Sequence, residues 1–204
     1  MVYKYLNFLK EMKIDAVYKE IMHYLNNLPE KEKNRFDLFR QHDIIKMYYV
    51  PIYSKAPVAD TGLFNIIVDC PDKNYNYKKG EHAEYINSFF DMTMYTYDTS
   101  EYFPSTIELA KNNEAVANTA YMYYKPDTYV MNHVHEEPEI ITHTLLHDIQ
   151  NNGHFTIHCK GHSHTVRKKG EVFSFDGTLP HSAECINGEA YFITNALNCK
   201  LLNK

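Results

Sequence analysis

The sequence predicts a mainly β protein with N-terminal helices, its second half rolled into a double-stranded β-helix, or jelly roll. Three observations carry that prediction. From Asn118 onward, short β-rich segments alternate with Gly, Pro, Asn and Asp turn signals. Ahead of them, apolar residues recur at helical spacing. Nine of the twelve histidines fall between His133 and His181, within the β-rich part, where a rolled sheet can bring distant strands onto one centre.

The bulk numbers set the frame. A chain of 204 residues is long enough for one well-buried core. Its 44% hydrophobic and 23% charged residues are ordinary for a soluble globular protein. The economical organisation is a single domain over 1–204, with an α-rich part and supporting strands in 1–113 and the double-stranded β-helix core in 114–199. A net charge of -5 gives no long-range attraction to polyanions, so nucleic-acid binding is disfavoured. Cys70, Cys159, Cys185 and Cys199 form no CxxC pair and suit reduced thiols in a cytoplasmic protein. The opening VYKYLNFLKEMK breaks its apolar run with lysines and Glu11, so it reads as neither signal peptide nor membrane span.

Taken in order, Leu6, Leu9, Val17, Ile21, Leu25 and Leu28 predict an amphipathic helix over 3–28, ended by Pro29 and the charged run EKEKNR. LFNIIVDC (63–70), closed by Pro71, predicts a buried strand, and the polar NYNYKKGEH (74–82) a loop. Ser105 and Glu108, after Pro104, stand in the S-x-x-E arrangement of a capping box, which predicts a helix running to about Asn112. The strands then follow in NTAYMYYKPD, YVMNHVH, IITHTLL, NNGHFTIH, KGHSH, KKGEVFSF, DGTLPH and AYFITNAL. Tyr121, Tyr123 and Tyr124 read as sheet packing.

The chemistry concentrates in two of these segments. In an extended strand alternate side chains share a face, so His133 and His135 of HVH point the same way, about 7 Å apart along the strand. Neutral imidazole is a good ligand for Fe, Mn, Ni, Cu or Zn. Forty-six residues after His135, the run Gly170, VFSF, DGTLP and His181 can return a further histidine to the same ion, since in a double-stranded β-helix that later strand lies opposite the first. His133 and His181 are therefore candidate metal ligands. The third donor is open between His135, Glu137, and Glu139 or water alone, and Pro138 favours His135 over Glu137 by interrupting the strand.

The runs FPSTIELAKN (103–112), YKPDTYVMNHVH (124–135), THTLL (142–146) and GEVFSFDGTLPHSAECIN (170–187) resemble the aspartyl/asparaginyl β-hydroxylase group. K-P-x-T before the first histidine and F-D-x-x-x-x-H at the second are the most telling parts, and the likeness covers roughly residues 100–199. The resemblance implies a non-haem iron dioxygenase on a double-stranded β-helix, using Fe(II) and 2-oxoglutarate to hydroxylate an amino-acid side chain of a peptide, or a related small substrate. It matches His133 to the first iron ligand and His181 to the distal one. It also matches His143 to a histidine of the co-substrate region, and Phe175 and Asp176 to the F-D pair. The family's carboxylate-pairing arginine falls near Tyr191 here, and its second arginine near Ile141. No Lys or Arg occurs between Glu171 and Asn198, which leaves Arg167, Lys168 or Lys169 as the candidate cations. The same residues also resemble cupins. Pro126-Asp127, then HVH, then Glu139 follow the first cupin motif, and Gly170 with His181 fits the second, whose usual proline, glycine and asparagine are Asp176, Thr178 and Cys185. That likeness implies a metal enzyme with a three-histidine (plus Glu) site that does not use 2-oxoglutarate, or a binding module on the same barrel.

Weaker signals stay weak. His154-Phe-Thr156 is one half of a two-histidine phosphoesterase signature without its partner, and GHSH (161–164) reads as a polar hairpin tip. P-loop, GxGxxG and GxSxG elements are missing from the sequence.

Overall fold

The computed structural model describes residues 13–28, 30, 33, 47–55, 101–135 and 138–198. The first turns of the N-terminal helix, Pro29, the strand at 63–70, the loop at 74–82, Glu137, Cys70 and Cys199 lie outside the described residues. In chain order the elements are α1 (Ile14–Asn26), β1 (Met47–Ser54), α2 (Pro104–Lys111), β2 (Val116–Tyr124), β3 (Thr128–His133), β4 (Glu139–Leu145), β5 (His154–Cys159), β6 (His162–Val166), β7 (Val172–Asp176), β8 (His181–Ile186) and β9 (Ala190–Asn198).

The strands form two antiparallel sheets, one in the order β1-β2-β9-β4-β7 and the other β3-β8-β5-β6. From β2 to β9 each strand crosses to the opposite sheet, except at the β5–β6 hairpin. That winding is the double-stranded β-helix the sequence predicts. The turn residues explain how the chain reverses so tightly. Asp127, Asn151, Asn152 and Asn187 hold left-handed backbone conformations that Asn and Asp tolerate, and Lys160-Gly161 (φ 48° and 79°) makes the β5–β6 hairpin turn.

β1 is the element that the strand patterning does not reveal, because Pro51 interrupts it and argues against a central strand. It sits at the sheet edge beside β2, where a missing N–H is tolerated, and its register shifts between Pro51 and Tyr53.

Strand alternation divides the apolar residues between two layers. On β9, Phe192 points between the sheets, among Tyr124, Phe155, Phe173, Val130 and Cys185. Ile193 and Tyr191 point outward, where Tyr121 and Tyr123 meet α1. The tyrosine run is thus sheet packing on both faces, with Tyr124 the ring that enters the barrel, 4.9 Å from Phe155. α1 presents Val17, Ile21 and Tyr24 to the outer layer at helical spacing. Each such buried side chain contributes roughly 1.5–3 kcal/mol relative to exposure.

α2 forms as expected, but its N-terminus is satisfied differently. Phe103 is the N-cap residue, Pro104 opens the first turn, and no side chain of the helix closes a capping box. Glu20 reaches over from α1 instead. Its carboxylate accepts the Ser105 N–H (2.6 Å), the Thr106 N–H (3.1 Å) and the Thr106 hydroxyl (2.7 Å). An anion at the positive helix end satisfies orphan donors and favours the dipole together. No helix among the described residues is long and apolar enough to cross a membrane.

Candidate metal centre

His133 and His181 meet because one strand carries an extra residue. β3 and β8 pair Val130 with Ala183 and then His133 with His181, so Met131 and Asn132 together oppose Ser182. This β-bulge reverses the inside–outside parity of β3. Val130 faces the core, and without the bulge an odd-numbered His133 would face away from it. The two rings lie 4.2 Å apart, with His133 half-buried and His181 buried at 3% exposure.

His135 arrives by another route. The sequence argument places it two residues along the same strand, yet β3 ends at His133. His135 is held by its backbone, whose N–H donates to the Gly177 carbonyl (2.8 Å) in the β7–β8 turn. Its ring lies 5.3 Å from that of His133 and 5.0 Å from that of His181. The three residues each offer a nitrogen within 4.8 Å of the others, the one such group of His, Cys, Asp or Glu among the described residues.

The outer nitrogens show which way the rings are poised. His133 Nδ1 lies 2.8 Å from the Met131 carbonyl and His181 Nδ1 2.7 Å from the Leu179 carbonyl. His135 Nδ1 lies 2.9 Å from Glu139 Oε1. A carbonyl or carboxylate oxygen only accepts, so each Nδ1 is the donor and carries the proton. In the neutral ring, Nε2 is then a bare lone pair. The Nε2 atoms of His133 and His135 face each other at 3.3 Å. Two lone pairs at that distance repel unless a cation lies between them. An ion about 2.1 Å from each nitrogen subtends about 100–110° at this separation, the angle of a tetrahedral or facial site. The donor set therefore fits a first-row transition ion, with the outer-nitrogen tethers that such ligands carry.

Electrostatics favours the neutral form of His133 and His181. Burial pushes His133 below its ordinary pKa, against the Met131 hydrogen bond and with help from His135. Burial does the same to His181, opposed by the Leu179 carbonyl and reinforced by His133 and His135. Neutral imidazole is the form that binds metal.

The remaining candidates divide. Glu139 is beside the centre, but its carboxylate engages His135 Nδ1 and it stands outside the three-residue group. His143 lies inside the barrel, 6% exposed, stacked on Phe173 (4.9 Å) and flanked by Phe192 (5.4 Å) and Phe175 (5.9 Å). Its Nδ1 is buried without a hydrogen-bond partner, and burial, then His181 and His135, lower its pKa to about 3. Phe175 packs on His181 (4.6 Å), and Asp176 accepts the Thr178 N–H and hydroxyl in the next turn.

Tyr191 does not reach the barrel interior. Its strand parity is opposite to that of Phe192, and it packs against Tyr121, Tyr123 and His147 on the α1 side, donating to Glu189 at 2.7 Å. Arg167 is exposed just beyond β6, its N–H held by Glu171. Lys168 and Lys169 pair with Asp148 and Asp15. None of these four stands among the residues of the histidine centre. His154 and His158 lie on β5, and GHSH sits at the β5–β6 hairpin end, Gly161 in the turn and His162 and His164 exposed just beyond it on β6. Sequence reasoning passed over Gly177 and the Met131 and Leu179 carbonyls, which act through backbone position and carry no residue-type signal.

No protein-family model and no curated protein matches the chain. Solved structures with similarity to it include the cupin domain of Schizosaccharomyces pombe Cnp3, at 11% identity over 45% of this chain and 62% of that one, TM-score 0.36. A Thermotoga maritima protein described as a predicted oxalate decarboxylase matches at 20% identity over 45% and 72%, TM-score 0.34. The DMSP lyase DddQ of Ruegeria pomeroyi matches at 13% identity over 42% and 40%, TM-score 0.34. The matched region thus spans under two thirds of the Cnp3 domain and of the lyase. At these scores the fold assignment rests on strand order and register.

Proposed function

We propose that this chain is a metal-dependent enzyme in which His133, His135 and His181 hold one divalent first-row ion, Fe(II) foremost, and present it to a small carboxylate-bearing substrate. The observation that carries this reading is the 3.3 Å approach of two Nε2 lone pairs whose rings are each fixed by an Nδ1 acceptor. Three neutral donors leave the full charge of the ion in place, which favours an anionic oxygen ligand in the open positions. When bound, the ion supplies Lewis acidity and, as iron, redox chemistry.

The protein's own contributions follow from its residues. Met131, Leu179 and Glu139 hold the three rings in one tautomer. Phe173, Phe175 and Phe192 keep water from the inner side of the centre, and His143 offers an unpartnered nitrogen there. Hydroxylation of an amino-acid side chain with 2-oxoglutarate is the second reading, favoured by the F-D-x-x-x-x-H run that ends in His181. A dicarboxylate co-substrate pairs best with a cation at its far end, and no Lys or Arg is buried among the described residues. Single-carboxylate substrates are therefore the leading class.

Anaerobic titration with Fe(II), with and without 2-oxoglutarate, tests both readings. One ion per chain, lost in His133→Ala and His181→Ala, supports the metal centre. A visible charge-transfer band with 2-oxoglutarate, followed by succinate and CO2 release once O2 is admitted, selects the second reading. Full metal uptake by either alanine variant overturns the ligand assignment.

A further inference from the structure

We propose that Gly177 is a positioning residue of this centre, the β7–β8 turn around it fixing the seat of the His135 ring, so that a missing side chain at 177 is a condition of metal binding. The inference rests on the three-histidine metal reading above.

Gly177 meets both ends of the link that carries His135. Its carbonyl accepts the His135 N–H at 2.8 Å, and its N–H donates to the Glu139 carbonyl at 3.0 Å. A Cβ there would lie 3.1 Å from His135 Nδ1, 3.4 Å from His135 Cγ and 3.5 Å from Glu139 Cγ. Backbone conformation does not demand glycine here, since only Gly161 and Gly170 have a positive φ among the described glycines. Space demands it.

The same turn also seats His181. Asp176 Oδ1 accepts the Thr178 N–H (2.9 Å) and hydroxyl (2.7 Å), and the Asp176 carbonyl accepts the Leu179 N–H (3.1 Å). Leu179 then offers its own carbonyl to His181 Nδ1 at 2.7 Å. One turn thus grips two of the three rings.

His135 has little freedom to yield. Glu139 holds its Nδ1 at 2.9 Å, and its Nε2 already faces His133 at 3.3 Å. A methyl group at 177 shifts the ring by a few tenths of an ångström. Metal–ligand distances tolerate only about 0.2 Å. Disturbing what orients a ligand typically weakens metal binding about 10- to 100-fold.

The test is anaerobic Co(II) titration of the full chain, wild type against Gly177→Ala, following the visible d–d bands and the dissociation constant by chelator competition. The expected result is binding about 10- to 100-fold weaker with altered bands, while the thermal midpoint of the metal-free protein stays close to wild type. Asp176→Ala, which loosens the turn without adding volume, is expected to weaken Co(II) in the same direction and serves should Gly177→Ala fail to fold. Variants with wild-type affinity and bands overturn the proposal. Wild-type protein that takes up no Co(II) overturns the metal reading itself, before any variant is compared.

Discussion

Replacing His143 by phenylalanine isolates the cost of one buried imidazole. The ring stacks on Phe173 at 4.9 Å with a 28° interplanar angle, a geometry that phenylalanine can keep. At neutral pH the substitution removes a buried Nδ1 that has no partner. An unsatisfied buried group costs about 1–3 kcal/mol, so His143→Phe is expected to be more stable than wild type by about 1 kcal/mol or more. Acid widens the gap. The folded pKa of His143 is lowered from 6.5 to about 3, first by burial and then by His181 and His135. Below pH 6.5 the unfolded chain takes up a proton that the folded chain refuses. The stability tied to this group is therefore fully present above pH 6.5 and lost as pH falls toward 3, by about 1.4 kcal/mol per unit. At pH 4.5 the additional difference reaches about 2.7 kcal/mol. Urea unfolding at pH 7, 5.5 and 4.5, with chelator present throughout, measures it. His133 and His181 titrate in both proteins, so the difference reports His143. Parallel stability–pH curves for the two proteins would refute the burial argument.

Two further substitutions probe other links. Glu20→Ala is expected to cost about 1–2 kcal/mol in urea melts, because it strips two N–H groups and one hydroxyl at the start of α2 of their shared acceptor. Ser105→Ala should cost little by comparison, and a larger loss there would restore the capping-box reading. Glu139→Ala is expected to weaken Co(II) binding about 10- to 100-fold through the freed His135 ring. Glu139→Gln keeps an acceptor oxygen and should retain most of the affinity. Equal loss in both would mean that the carboxylate touches the ion directly.

The strands of the second half were legible as short β-rich runs between turn signals; burial alternates simply along His181–Ile186, whereas Val116–Tyr124 and Ala190–Asn198 are buried on both faces. Turn chemistry at Asp127, Asn151-Asn152, Lys160-Gly161 and Asn187 punctuated them correctly. What alternation does not reveal is which parity faces inward. Tyr191 was matched to a position in the sequence and landed one residue off the interior, where Phe192 stands. Pro51 hid β1, since only the finished sheet shows that the strand lies at an edge. The helix at 104–111 was visible in the chain, but its cap comes from Glu20, 85 residues earlier, which no local pattern encodes.

The pairing of His133 with His135 was anticipated by an argument that the structure replaces. Alternation would put both rings on one strand face, yet the bulge at Met131 and Asn132 turns His133 inward, and β3 has ended before His135. Two departures from the regular strand bring the rings together, one held locally and the other from a distant turn. His133 depends on the local carbonyl of Met131, whereas His135 depends on Gly177 and Glu139. The His-x-His spacing is therefore necessary for this centre without being its cause. A graft of HVH onto an ordinary strand lacks the bulge, the turn and the carboxylate, and should bind metal far more weakly than the same three letters do here.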